Sequence, residues 1–267
     1  MGLSGLAQLN IETNSTCDKR TKCSFCGHQD ALVNTAIQYG EMDYALLETI
    51  RAQVEPGIIV SWHRDGDPLA YSRIGDALRL FSGFTTSIVT HGLNLERLAD
   101  DLIETCSTIT VSIFRGDIDG EMQRAALENF LRIKGDRSPI VQIKIVGDMS
   151  ADELAPYEAL NVRIIRRLIH VPISNSKYAH RSPTIPEGGV CLDALHRPTV
   201  DWRGRVSLCN RLDPAGHLFI GDVNHDTLDA IWNGETRRRM LDAHKLGRRD
   251  LANPLCKTCD YWGVASA

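Results

Sequence analysis

Apolar and polar positions follow two alternating periods along the first two-thirds of the chain. Short runs rich in β-branched residues, at Leu6–Thr13, Gly57–Trp62, Thr86–Thr90, Ile109–Phe114, Ile140–Val146 and Val162–His170, predict six strands. Between them the apolar residues recur at helical spacing. Leu46, Leu47, Ile50 and Val54 mark a helix over Met42–Val54, and Leu95, Leu98, Leu102 and Cys106 mark one over Leu95–Cys106. Arg73–Phe81, Glu121–Ile133 and Asp152–Leu160 complete five predicted helices. Strand and helix in strict alternation predict an α/β fold with a parallel sheet. Right-handed crossovers would wind six such units into a partial (β/α)6 TIM-like barrel, whose chemistry gathers at the C-terminal ends of the strands.

The pattern changes after the sixth strand. Pro172–Gly189 is rich in Pro, Ser, Asn and Gly and reads as an irregular connection. Beyond it lies a compact segment expected to be a small α+β domain. It contains a predicted hairpin, Thr199–Trp202 and Arg205–Leu208 turning at Arg203–Gly204, and a predicted helix over Thr227–His244. The expected division is residues 1–175 for the barrel and 176–267 for the appended domain.

Composition narrows the function. The chain has 267 residues, 43% of them hydrophobic, and a formal charge of −4. That balance supplies no basic field for nucleic acid and no polybasic stretch for a lipid surface. The apolar runs are strand-length, far short of a membrane span, and the N-terminus lacks the pattern of a secretory signal. A cytoplasmic location is therefore expected. Eight cysteines in a reducing compartment point to metal ligation rather than disulfides.

Seven of the eight fall into two groups. Cys17, Cys23 and Cys26 form C-x5-C-x2-C directly after the first strand. Three thiolates on one loop can hold three irons of a [4Fe–4S] cube and leave the fourth iron open to a chelating ligand. A zinc knuckle completed by His28 is the alternative on spacing alone. Cys191, Cys209, Cys256 and Cys259 form C-x17-C-x46-C-x2-C, which suits either one zinc or all four irons of a second cluster.

The first loop resembles the signature of radical S-adenosylmethionine (SAM) enzymes, C-x3-C-x2-C, with a first interval two residues longer here. Phe25 fills the aromatic position before the last cysteine, which the resemblance places near the SAM adenine. Asp65-Gly66-Asp67-Pro68, at the end of the second strand, resembles the GGEP motif that holds the SAM amino group. Thr90-His91-Gly92-Leu93-Asn94-Leu95 resembles the TNGxLL stretch, and Ser112 stands where the family places a polar residue toward the SAM ribose or carboxylate. In the C-terminal segment, Gly204–Cys209, Ile220–Val223 and Leu228–Asn233 resemble the auxiliary-cluster domain called SPASM. No cysteine follows Cys259, so the segment is similar to the shortened, single-cluster "twitch" form. The layout is also similar to that of the aminoglycoside dehydrogenases of butirosin biosynthesis, in which Ser-x-His-x-x-Gly-Glu-Pro matches Ser61–Pro68 here.

The resemblance implies SAM and two [4Fe–4S] clusters as cofactors, with a reducing protein such as flavodoxin or ferredoxin as partner. It implies a 5′-deoxyadenosyl radical that takes a hydrogen atom from a polar small molecule such as a sugar, an aminocyclitol or a nucleoside-like compound. In an alcohol oxidation the substrate radical then loses a proton and passes one electron to the second cluster, giving a ketone. His63, Arg115 and Arg181 are the candidate substrate-side residues, with Lys144 a further charge in the fifth strand. Cys106, predicted on the apolar stripe of a helix at the N-terminal end of the barrel, reads as a buried inert thiol, which disfavours a cysteine-quenched epimerase. The run Arg237–Arg239 reads as a solvated helix face. Modification of a ribosomally made peptide is a second reading, disfavoured because the first strand begins near residue 6. A non-catalytic protein with two zinc sites is a third.

Overall fold

The computed structural model describes residues 3–19, 38–167, 190–209 and 218–259. A nine-stranded sheet organises them, in the order β6-β5-β4-β3-β2-β1-β7-β8-β9. Strands β1 (Gln8–Ile11), β2 (Ile59–Trp62), β3 (Thr85–Thr90), β4 (Thr108–Phe114), β5 (Ile140–Val146) and β6 (Arg163–Arg167) are parallel neighbours in chain order. Helices α1 (Tyr44–Arg51), α2 (Ile74–Leu80), α3 (Ala99–Leu102), α4 (Gly120–Lys134) and α5 (Ala151–Glu158) lie in the crossovers. This is the strand–helix alternation expected for an open barrel.

Register makes the two faces of the sheet chemically different, because bonded partners in a parallel ladder share a face. Ile11, Trp62, Ile88, Ile109 and Val141 form one row, each 5% exposed or less. Trp62 meets Phe81 of the α2 C-terminus edge-on, with ring centroids 5.2 Å apart, so this row faces the helices. The opposite face carries Asn10, Ser61, Ser87 and Thr108 in one row. Above them come Thr110, Gln142 and Arg163, then Ser112 and Lys144. The face turned away from the helices is therefore mostly polar, interrupted by Val89, Ile140 and Ile165.

The C-terminal segment continues the same sheet. Strand β7 (Thr199–Val200) pairs parallel with β1, and β8 (Arg205–Ser207) and β9 (Phe219–Asp222) follow antiparallel. The β7–β8 hairpin turns where expected, and Gly204 there has φ +95°, a conformation that favours glycine. Short helices α6 (Leu192–His196), α7 (Leu228–Trp232), α8 (Glu235–Lys245), α9 (Arg249–Ala252) and α10 (Pro254–Thr258) complete the segment.

Two helices differ from their sequence pattern. Only Ala99–Leu102 of the predicted Leu95–Cys106 is helical. The apolar stripe is still buried, but the chain before it runs through turns that follow Gly92, whose φ is +88°. The predicted Thr227–His244 helix is two helices, broken at Asn233–Gly234, where Gly234 adopts an extended N-cap conformation with ψ 160°. The predicted boundary at residues 175/176 falls outside the described residues. Among the described residues no helix is long and apolar enough to cross a membrane.

Candidate functional site

Beyond β1 the chain forms the stem of a loop. Ser15 N–H donates to the Gly40 carbonyl (3.0 Å) and Met42 N–H to the Thr13 carbonyl (2.8 Å), while the Ser15 hydroxyl accepts from Gly40 N–H at 2.8 Å. Cys17 follows this stem, just beyond the C-terminal end of β1. It is half-buried. Cys23, Phe25, Cys26 and His28 lie outside the described residues.

The Asp65–Pro68 loop, at the end of β2, packs directly on that stem. Asp67 N–H donates to the Thr16 carbonyl at 2.8 Å, and the Asn14 side-chain amide donates to the Asp67 carbonyl at 3.1 Å. Gly66 is required by closeness: a Cβ there would stand 2.3 Å from the Asn14 carbonyl oxygen. Pro68 opens a 3-10 turn, Pro68–Ala70, capped by the Asp67 carboxylate, which accepts from Leu69 N–H at 2.8 Å.

The same carboxylate reaches the end of β3. It accepts from the Thr90 hydroxyl at 2.8 Å and from His91 N–H at 2.7 Å. Asp67 is 3% exposed, and its oxygens are met by internal donors. The β3 end also takes hold of the cysteine loop. His91 Nε2 lies 2.8 Å from Asp18 Oδ1, and the Asn94 amide donates to the other Asp18 oxygen. His91 Nδ1 accepts from Leu93 N–H at 3.2 Å, which assigns the proton to Nε2, toward Asp18. The hydrogen bond from His91 holds the Asp18 carboxyl down at about 2, assisted by Asn94. Burial alone would lower the His91 pKa, but the Asp18 hydrogen bond and the charges of Asp67 and Asp18 raise it. The neighbouring Lys19 forms a buried ion pair with Asp117 beyond β4. Asp18 and Lys19 thus clamp the cysteine loop to two strand ends. They lie within the long first interval of the cysteine motif, which spacing alone did not single out.

Ser112 is buried, and its carbonyl accepts from the Gln123 side chain at 2.8 Å. It stands beside Lys144 on the polar face. His63 is half-buried just past β2, and Lys144 is half-buried in β5. Arg115 is turned to the exposed rim, where its guanidinium meets Glu153 at 3.1 Å. Arg181 lies outside the described residues.

A second constellation joins the barrel to the C-terminal segment. Arg64, its side chain 3% exposed, lies 3.6 Å from Glu12, 3.3 Å from Asp65 and 3.9 Å from Asp201. Arg203 and Arg205 meet Asp201 from the hairpin, at 3.5 and 2.6 Å. Burial first, then Asp65, pushes the Glu12 carboxyl up to about 8, and burial pushes Asp201 up to about 6.

The four C-terminal cysteines are all half-buried. Cys191 precedes α6, Cys209 follows β8, Cys256 sits in α10 and Cys259 ends it. Burial pushes the Cys191 thiol up to about 11, with the nearby Asp193 and Cys259 adding to the effect. Cys191 N–H donates to His244 Nδ1 at 3.3 Å, and Arg249 donates to the Cys259 carbonyl at 2.7 Å. His244 is therefore packed beside Cys191. Among the described residues no three Cys, His, Asp or Glu side chains are close enough to hold a metal ion. The donor chemistry, four half-buried thiols within one segment, fits an iron–sulfur centre, whose binding would release their protons.

Arg237 departs from the solvated face expected of Arg237–Arg239. It is 9% exposed, lies 3.3 Å from the centre of the Trp232 ring and donates to the carbonyls of Trp232 and Leu195. Burial lowers its pKa to about 10. Arg238 and Arg239 are exposed as expected.

Residues 191–260 match the family model of the SPASM iron–sulfur cluster-binding domain. No curated protein sequence matches the chain significantly. Among solved structures, BtrN in complex with AdoMet and 2-DOIA is similar at TM-score 0.54 and 16% identity, over 97% of this chain and 92% of that one. Streptococcus suis SuiB bound to S-adenosylmethionine is similar at TM-score 0.66 and 14% identity, over 96% of this chain and 72% of that one. SuiB bound to its precursor peptide SuiA is similar at TM-score 0.61 and 13% identity, over 87% and 65%. At these identities the likeness is one of fold. The chain shares the fold of BtrN and SuiB and carries a SPASM-type domain at residues 191–260.

Proposed function

We propose that this chain, with that layout, oxidises an alcohol carbon of a polar small molecule by radical SAM chemistry and passes the second electron to an auxiliary cluster. The observation that carries the substrate class is the polar face of the parallel sheet. Ser61, Thr110, Ser112, Gln142 and Lys144 project from the side turned away from the helices. A hydroxyl- or amine-rich molecule finds hydrogen-bond partners there that an apolar one would leave unmatched.

Cys17, Cys23 and Cys26 are the proposed ligands of the first [4Fe–4S] cluster, and Cys191, Cys209, Cys256 and Cys259 those of the second. Bound there, SAM and the first cluster would supply one-electron cleavage to a radical that takes a hydrogen atom from the substrate. The chain's own residues bind and orient. Asp65–Pro68, Thr90, His91 and Ser112 form the proposed SAM cradle, with Phe25 against the adenine. Asp67 acts by shaping the cradle, since its oxygens already accept from Leu69, Thr90 and His91. His63 and Lys144 stand at the substrate side, with Arg181 a further candidate. Arg115, paired with Glu153 on the rim, is a weaker candidate for direct contact. The net oxidation would take two electrons and two protons from the alcohol, with the second cluster, held by Cys191, Cys209, Cys256 and Cys259, supplying the acceptor for one electron. Low-potential electrons from a flavodoxin- or ferredoxin-like protein would start each turnover.

The test is anaerobic purification with iron, sulfide and zinc assay, then incubation with SAM and a strong reductant. Two cubes predict about eight irons per chain. Formation of 5′-deoxyadenosine that is lost in Cys17→Ala supports the reading, and stoichiometric zinc without iron overturns it. Cys256→Ala should still cleave SAM but accumulate no ketone. SuiB bound to precursor peptide SuiA favours a second reading, modification of a peptide. A peptide substrate that is turned over while sugars and aminocyclitols are not would select it.

A further inference from the structure

We propose that Arg64 is a positioning residue that joins the Asp65–Gly66–Asp67–Pro68 loop to the C-terminal segment through Asp201. The inference rests on the reading of that loop as part of the SAM cradle. Three adjacent parallel strands, β2, β1 and β7, release their chains on the same side of the sheet. The ladder runs one step further where Glu12 N–H donates to the Val200 carbonyl at 2.9 Å. Glu12, Arg64 and Asp201 are thereby brought to one level, each from a different strand end.

Arg64 is buried, so it stays charged only where carboxylates surround it. On the barrel side Asp65 supplies the negative charge, and the Glu12 carboxyl stands beside it. Glu12 also accepts from Asp65 N–H at 3.3 Å, which ties the start of the loop to β1. On the other side stands Asp201, 1% exposed, which is itself the organiser of the hairpin turn. Its Oδ1 accepts from Arg203 N–H at 3.0 Å and Arg205 N–H at 2.9 Å, and its Oδ2 meets the Arg205 guanidinium at 2.6 Å. Arg205 opens β8, and β8 leads directly to Cys209, whose N–H donates to the buried Ser207 hydroxyl at 3.2 Å. An unbroken series of contacts thus runs from the Gly66 loop through Arg64, Asp201 and β8 to a proposed ligand of the second cluster. Displacing Asp201 withdraws one carboxylate partner from Arg64, and displacing Arg64 breaks the contact that ties Asp201, still held by Arg203 and Arg205, to the end of β2.

Hydrogen exchange on the full chain tests the joint directly. Asp201→Asn is expected to speed exchange of the amides at residues 65–67 by about fivefold or more, and Arg64→Gln to do the same for residues 203–209. The double variant should add little to the larger single effect, because both remove one interaction. Arg64→Lys, which keeps the charge, should stay within about twofold of the parent. Changes confined to the mutated side, or effects that add, overturn the joint. In the iron-loaded enzyme, Arg64→Gln should weaken SAM binding about tenfold and Arg64→Lys less than about threefold. Unchanged SAM affinity in Arg64→Gln overturns the positioning role. A parent protein that binds no SAM overturns the proposed function instead, and the exchange result still decides the joint.

Discussion

The Asp67 carboxylate and the Thr90 hydroxyl are 2.8 Å apart, and this contact binds the end of β2 to the end of β3. Asp67→Ala would leave the Thr90 hydroxyl, His91 N–H and Leu69 N–H without their acceptor. Unmet buried donors should cost about 2 kcal/mol or more. A urea titration is expected to show a lower midpoint at unchanged slope. An unaltered midpoint would mean that other contacts hold the two strand ends.

Gly66 tests the seat of the loop by sterics alone. Gly66→Ala places a methyl 2.3 Å from the Asn14 oxygen, which backbone must move to relieve. Overpacking of this kind costs about 1–3 kcal/mol, and melting should fall by several degrees. Gly120→Ala is the control, since nothing lies within 4 Å of the added carbon. Equal melting of the two variants would rule out the close seat.

Glu12 and Asp201 make stability depend on pH. Both carboxyls have folded pKa values raised above their ordinary ones, to about 8 and about 6. The folded state therefore keeps protons that the unfolded chain has released. Their contribution is fully present below about pH 4 and is lost as pH rises through about 6 and then about 8. The parent should lose stability between pH 5 and 9, at most about 1.4 kcal/mol per pH unit for each group. Glu12→Gln is expected to flatten the upper part of that slope. Denaturation across pH 5–9 decides it, and parallel slopes would count against a protonated Glu12.

Cys106 is 3% exposed and its thiol donates to the Thr108 carbonyl at 3.3 Å. Burial pushes its pKa up to about 11, so almost no thiolate forms near neutrality. Mass spectrometry should find it unalkylated by iodoacetamide in the folded protein and modified in urea. Cys106→Ala should retain SAM cleavage and lose only modest stability. Loss of turnover without loss of folding would give this thiol a role in the chemistry.

The parallel strands were legible because each is a run of β-branched residues whose register is set by burial of one face. Ile140–Val146 matches its predicted bounds, and the polar face follows from the same alternation. Helices were less legible where turn chemistry overrode periodicity, as after Gly92 and at Gly234. The candidate site was legible in its order along the chain: a cysteine loop, then Gly66, then Thr90-His91. What pattern did not reveal were contacts between distant segments. Asp18 meets His91 and Asn94, Arg64 meets Asp201, and Arg237 covers Trp232. None has a periodic or motif signal, because each depends on which strand ends the topology places side by side.

The parallel pairing of β7 with β1 has a consequence for how the chain can be divided. The appended domain supplies the neighbour of the first barrel strand, so the two share a backbone ladder as well as side-chain contacts. A barrel expressed without its C-terminal third would present β1 as a bare sheet edge, with unpaired amides and carbonyls open to another chain. The iron–sulfur segment is thus a covering strand for the barrel as well as a proposed electron acceptor. Exchanging it between relatives would have to preserve the Asn10–Thr199 register before any chemistry is transferred.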